Sequence, residues 1–181
     1  METDKFKRAL RRNLHEVGRA ILERRALVGM EAADSHHTVD FFRLAYDALF
    51  NDMIAHAIKV FDRHKDSTAF WYIYRFSEEE INKYIKKKGF DLNNLDIVAD
   101  KLKIIRDKTH FHIDRIGVLR PEDVWKSANL TGAELAKTID MVWDILNHIY
   151  MCAEGREFTF PKYDGTDATK IIKLAKKEGI I

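Results

Sequence analysis

Residues 39–60, VDFFRLAYDALFNDMIAHAIKV, carry Val39, Phe42, Tyr46, Leu49, Met53, His56 and Val60 at alternating spacings of three and four. An α-helix turns once in about 3.6 residues, so these positions share one face and form a coiled-coil-like seam that another helix must cover. The pattern predicts a helix from about Ser35 to Arg63 at the centre of the fold. His56 lies on its seam and reads as a core or interface histidine able to contact His112.

Toward the amino terminus, Phe6, Leu10, Leu14, Val17 and Ile21 make another apolar stripe, predicting a helix from about Asp4 to Val28 that Gly29 ends. Toward the carboxyl terminus, residues 64–68 are a polar break. The aromatic run Phe70-Trp71-Tyr72-Ile73-Tyr74 is too short for periodicity to choose between helix and strand. Ser77 with Glu80 reads as a capping box opening a short basic helix, which Gly89 stops. Asn93 or Asn94 is placed to cap the next helix, through Leu95, Val98, Leu102, Ile105, Thr109, His112 and Ile116, with Gly117 and Pro121 bounding it. Thr131 and Glu134 form a second capping box, and Leu135, Ile139, Val142, Ile145, Ile149 and Cys152 mark the inner face of a helix lasting to about Ala153. Residues 154–166 read as a loop before a last amphipathic helix from Thr166 or Asp167.

The chain spends only two prolines and eight glycines over 181 residues, which suits long helices better than a turn-rich sheet. The expectation is an all-α protein of one domain, residues 1–181: an up-and-down four-helix bundle with extra short helices, its core at about 35–153 and a loop and short helix at 154–181. Hydrophobic residues at 46% and charged residues at 33% are ordinary for a globular chain, which argues against disorder. Cys152 is the one cysteine, so an intrachain disulfide and a thiolate zinc cluster are excluded. The first residues lack a signal-peptide apolar segment, and no stretch nears the roughly 18 apolar residues of a membrane span. A cytoplasmic protein without a membrane partner is expected. A net charge of +2 makes no whole-chain case for nucleic acid. The cluster Lys5, Lys7, Arg8, Arg11, Arg12, Arg19, Arg24 and Arg25, opposed by Glu16 and Glu23, reads as a solvated helix face before it reads as a phosphate site.

The densest chemistry lies in Arg106-Asp107-Lys108-Thr109-His110-Phe111-His112-Ile113-Asp114. A guanidinium neutralises phosphate bidentately, and an imidazole moves protons near neutral pH. That pairing is what phosphodiester cleavage by an internal 2′-hydroxyl requires. No phosphate-binding glycine loop and no serine or cysteine nucleophile elbow is present, so no cofactor is expected.

This segment resembles the signature of the HEPN superfamily, specifically its abortive-infection-like branch: an Arg, a polar residue, then a His after four to six intervening positions. Arg106-Asp107-Lys108-Thr109-His110-Phe111-His112 fits with five intervening residues. Tyr46-Asp47-Ala48-Leu49-Phe50, Val60-Phe61-Asp62 and the aromatic run are also similar, so the resemblance covers roughly residues 35–150. It implies a homodimeric bundle with Arg106 and His112 of both copies near the two-fold axis. It also implies metal-independent endoribonuclease activity in phage defence or a toxin–antitoxin system, with RNA as substrate and a cognate antitoxin as possible partner. Some relatives are regulated by modification of a Tyr two residues after the motif His. That position is Asp114 here, so the same regulation is not implied.

On a straight α-helix Arg106 and His112 point about 120° apart, because six steps of about 100° leave that gap. Either the helix ends or bends near His112, or a second protomer completes the pair. Arg106 and His110, at i and i+4, share a face with Asp107 and Asp114 close by, which makes His110 the competing partner. Two other readings use the same region. His110, His112 and Asp114 alternate as metal ligands would on a strand, although on a helix they diverge. A non-catalytic HEPN-like module binding nucleic acid or a partner protein would use the basic first helix and the aromatics around Trp71.

Overall fold

The first apolar stripe folds as α1, Glu2–Glu31, longer than its pattern predicts because the helix runs through Gly29 without stopping. This computed structural model describes residues 2–33, 39–110 and 121–180, with the backbone alone at Glu2, Thr3, Thr109, His110 and Pro121. Every regular element in it is helical. No described helix is long and apolar enough to cross a membrane.

Gly29 serves close approach instead of termination. A Cβ there would collide with the backbone carbonyl of Gly165, and a Cβ on Gly165, at φ +79°, would collide with the carbonyl of Arg25. Two glycines thus let the chain entering the last helix lie against the end of α1.

The central seam forms α2, Asp40–Phe61, and its second half buries Met53, Ile54, His56, Ala57, Val60 and Phe61. The aromatic run is helix α3, Phe70–Phe76, and α4, Glu78–Lys88, follows after a bend at Ser77. The expected Ser77–Glu80 capping box does not form. The Ser77 side chain caps nothing, its N–H still donates to Ile73 and Tyr74, and Glu80 accepts instead from His148 Nε2 at 2.8 Å. Gly89 ends α4 in the left-handed region, as its position predicts.

Helix α5, Leu92–Ile105, is capped by Asp91, whose carboxylate accepts from Asn93 N–H at 2.9 Å, and not by either asparagine. The α-helix then gives way to a π-helical turn, Arg106–His110. Residues 111–120, including His112, Ile116 and Gly117 of the predicted seam, lie outside the described residues. Pro121, read from sequence as a boundary, opens α6, Pro121–Ala128.

Thr131 does cap α7, Gly132–Glu154, accepting from Glu134 N–H at 3.1 Å, while Glu134 itself receives Lys101 from α5 at 2.7 Å. The apolar face of α7 is buried down to Tyr150, but Cys152 is exposed and not on the inner face. The last helix, α8, is Thr166–Lys177.

Helix α1 is the hub, in place of α2: it packs on α2 most extensively, then on α7, α8 and α3. Its Leu10, Leu14, Val17 and Ala20 join Ile54, Val60, Phe70, Leu102 and Ile145 in one buried cluster. The basic residues of α1 are largely engaged. Lys7 and Arg11 pair with Glu154 at 3.2 Å, and Arg24 holds both oxygens of Asp140 at 3.0 and 2.8 Å.

Candidate functional site

Two apolar seams bring the end of α2 against α5, and a cleft of about 460 Å³ opens between them. Its floor is Ile58, Phe61, Ala99 and Leu102, and its rim is Asp62, Arg63, His64, Lys103 and Arg106. The volume is that of a small-ligand pocket, roughly 300–1,000 Å³. Four of the five polar rim residues are basic or imidazole, so the cleft favours an anion.

Arg106 stands where the winding changes. Its Nε donates to Asp107 Oδ1 at 2.7 Å, and its terminal nitrogens make no hydrogen bond among the described residues. The neighbouring carboxylate thus steadies the guanidinium and leaves its outer edge for a ligand, the edge that engages phosphate bidentately. The π turn that opens at Arg106 packs on α2 and α6 as well as continuing α5.

Arg63, one residue past α2's cap, is drawn across to α5, where it pairs with Asp100 and with Asp96 at 3.3 Å. Those bonds tie the loop after α2 to α5 and hold His64 beside the cleft. The His64 Nδ1 accepts from Asp66 N–H at 3.3 Å, so a neutral ring carries its proton on Nε2. Lys103 makes no ion pair among the described residues.

Of the sequence-predicted residues, Arg106 and Asp107 therefore meet at one site. His110 contributes its backbone to the π turn, and its side chain, with all of His112 and Asp114, lies outside the described residues. The π turn closes i→i+5 instead of i→i+4. The 120° separation between Arg106 and His112, which presumes unbroken α winding, does not apply through it.

Arg63, His64 and Lys103 escape a sequence reading because Arg63 merely ends the predicted second helix, His64 opens the polar break at 64–68, and Lys103 lies on α5 away from both until α2 packs there. Of the seam histidines, His56 is turned to α1, where Nδ1 meets Glu16 Oε2 at 2.5 Å and Nε2 faces Glu23 Oε1 at 3.5 Å, and its expected contact with His112 lies outside the described residues. The contact toward Glu23, opposed by burial and reinforced by Glu16, holds the His56 pKa above its ordinary value. Burial works to raise the pKa of Glu16, but His56, Lys59 and Arg12 outweigh it and hold the carboxyl low. A second polar cluster joins α4 to α7: Glu80, His148 stacked on Tyr84 at 4.0 Å, and Cys152 with Sγ 3.8 Å from His148 Nε2. Burial and the nearby Glu80 push the Cys152 thiol pKa up, and the single nitrogen Nε2 faces both partners, so this is not a nucleophile with its base.

Comparison with protein-family models, with curated proteins and with solved structures finds no match to this chain.

Proposed function

We propose that the protein is a HEPN-like endoribonuclease acting as a homodimer in phage defence or a toxin–antitoxin system. The observation that carries the reading is Arg106 on the rim of a cationic cleft, its Nε held by Asp107 and its terminal nitrogens hydrogen-bonded to no described residue. In this reading Arg106 holds the scissile phosphate, and His112, or His110 as the competing assignment, removes the 2′-hydroxyl proton. The 2′-oxygen attacks phosphorus, the P–O5′ bond breaks, and the departing 5′-oxygen takes up a proton from the medium. The products are a 2′,3′-cyclic phosphate and a 5′-hydroxyl. Imidazole accepts the 2′-hydroxyl proton near neutral pH without an ion to generate hydroxide.

Exposed apolar side chains on α2, Phe41 and Leu44, are surface of the kind that two copies bury, which supports a homodimer. The second reading is a binding module without catalysis. It is favoured by the makeup of the described rim, where donors suited to gripping phosphate outnumber groups suited to accepting a proton.

The test is incubation of purified protein with RNA and with DNA of matched sequence, with and without chelator, under conditions where the chelated protein remains folded. RNA cut to cyclic-phosphate ends, DNA intact and chelation without effect are expected. Chelator-sensitive cutting of both polymers would contradict the mechanism, and binding of RNA without cutting would favour the module.

A further inference from the structure

The interface of α1 with α2, the most extensive in the fold, buries three groups that apolar packing would not choose: Glu16, Glu23 and His56, each 6–7% exposed. Buried carboxylates persist only where partners replace the water they lose. Glu16 has such partners. Its Oε2 lies 2.5 Å from His56 Nδ1 and 3.4 Å from Lys59 Nζ, and its Oε1 pairs with Arg12.

Glu23 does not. Two helical turns further along the same face of α1, its Oε1 lies 3.5 Å from His56 Nε2 and 3.7 Å from Arg19 Nε, and its Oε2 is sealed from solvent with no hydrogen-bond partner among the described residues. Asp52, one turn before His56 on α2, completes the group: one oxygen from each carboxylate and one imidazole nitrogen lie within 4.8 Å of one another.

We propose that Glu23, Asp52 and His56 Nε2 bind one divalent transition-metal ion, with Glu16 as the positioning residue that holds the imidazole. The site is separate from the Arg106 cleft and independent of the reading given to it. Three features point to an ion. The 3.5 Å between His56 Nε2 and Glu23 Oε1 is long for a hydrogen bond, but it matches the edge of a tetrahedral ion, since ligands at about 2.0–2.2 Å stand about 3.4 Å apart. Glu16 on Nδ1 sets the tautomer that leaves the Nε2 lone pair directed at the two carboxylates, the carboxylate–histidine arrangement that orients metal-bound imidazoles. The Oε2 of Glu23, which no described donor reaches, gains in the ion a partner.

One nitrogen and two carboxylate oxygens suit zinc, manganese, iron or cobalt. The nearby cations leave room for the ion: Arg12 and Lys59 attach to Glu16, and Arg19, 60% exposed, turns freely to solvent. Asp52 is exposed, so the ion enters from that side and keeps water in its remaining positions.

Full-length protein, stripped with chelator and desalted, is titrated with Co²⁺ and followed by visible absorption. The thermal midpoint is measured with and without Zn²⁺. We expect bands saturating at one ion per chain, no sulfur-to-cobalt charge-transfer band, and a raised midpoint, since a ligand of the native state alone stabilises it. Asp52→Asn, on the exposed side and compatible with folding, and Glu23→Gln should each lose the bands. Glu16→Gln should weaken binding about 10–100-fold and keep them. His148→Ala/Cys152→Ser, which dismantles the α4–α7 cluster, should bind as the wild type does. The proposal is overturned if the wild type gives no bands, in which case Nε2 simply holds a proton shared toward Glu23. It is equally overturned if the bands survive Asp52→Asn and vanish in His148→Ala/Cys152→Ser.

Discussion

A guanidinium at the rim of a half-enclosed cleft grips phosphate better than one in open solvent, because the apolar floor of Leu102, Ala99 and Phe61 lowers the local dielectric and Asp107 fixes the group's plane. Arg106 accordingly carries the proposed reading, in which His112 or His110 works with it. With His112 as the proton acceptor, His112→Ala should slow RNA cleavage about 100–10,000-fold, while His110→Ala should have a mild effect, with helicity by circular dichroism unchanged in both. The reverse pattern would make His110 the base.

At this scale the sequence displays Arg106 and Asp107 because they crowd one short segment with unlike charges. It hides Arg63 and His64, because their nearness to Arg106 is created only when α2 packs on α5. It also hides the charge cluster of α1. Glu16 and Glu23 look like counter-ions on a basic surface helix, and only the arrival of α2 buries them around His56.

Among the elements, seams and caps divide in what sequence reveals. The α1, α2 and α7 stripes and the Gly89 and Thr131 signals are local, set by periodicity and by one side chain meeting one backbone group. The Ser77–Glu80 box fails because His148, 68 positions away, takes the glutamate. The π turn at Arg106 falls within an apolar spacing that α winding satisfies equally well, so the pattern gives no notice of it.

Gly29 gives a direct check on the difference between a local and a tertiary signal. Read as a helix stop, its replacement by alanine would cost about 1 kcal/mol for a Cβ in the left-handed region. As a close-approach residue it costs more, since the added Cβ meets the backbone of Gly165 and neither segment yields cheaply. Gly29→Ala should therefore destabilise the fold by clearly more than Thr131→Ala, which removes one cap at a cost of about 1 kcal/mol. Urea denaturation of the two variants checks this, and a stabilised Gly29→Ala would contradict the α1–Gly165 packing.

Across the whole molecule, α1 organises the protein. One of its faces supplies the core, its carboxylates meet α2, and its end receives α8 through paired glycines, while the Arg106 cleft opens on the far side of α2 against α5. An all-α architecture is legible from composition and periodicity. The centrality of α1 is not, because its rank follows from how many helices reach it.

In the proposed mechanism, Arg106 makes this cleft a site of RNA cleavage through the 2′-hydroxyl. The most direct test is the cleavage rate of one defined RNA by wild-type and Arg106→Ala protein, each verified as folded, alongside the same RNA with a single 2′-deoxy sugar at the cut position. Loss of one preorganised charge contact predicts a fall of about 100–1,000-fold for Arg106→Ala. The deoxy substrate should resist the wild type at that position. Undiminished cleavage by Arg106→Ala, or cutting of the deoxy position at the normal rate, would contradict the account.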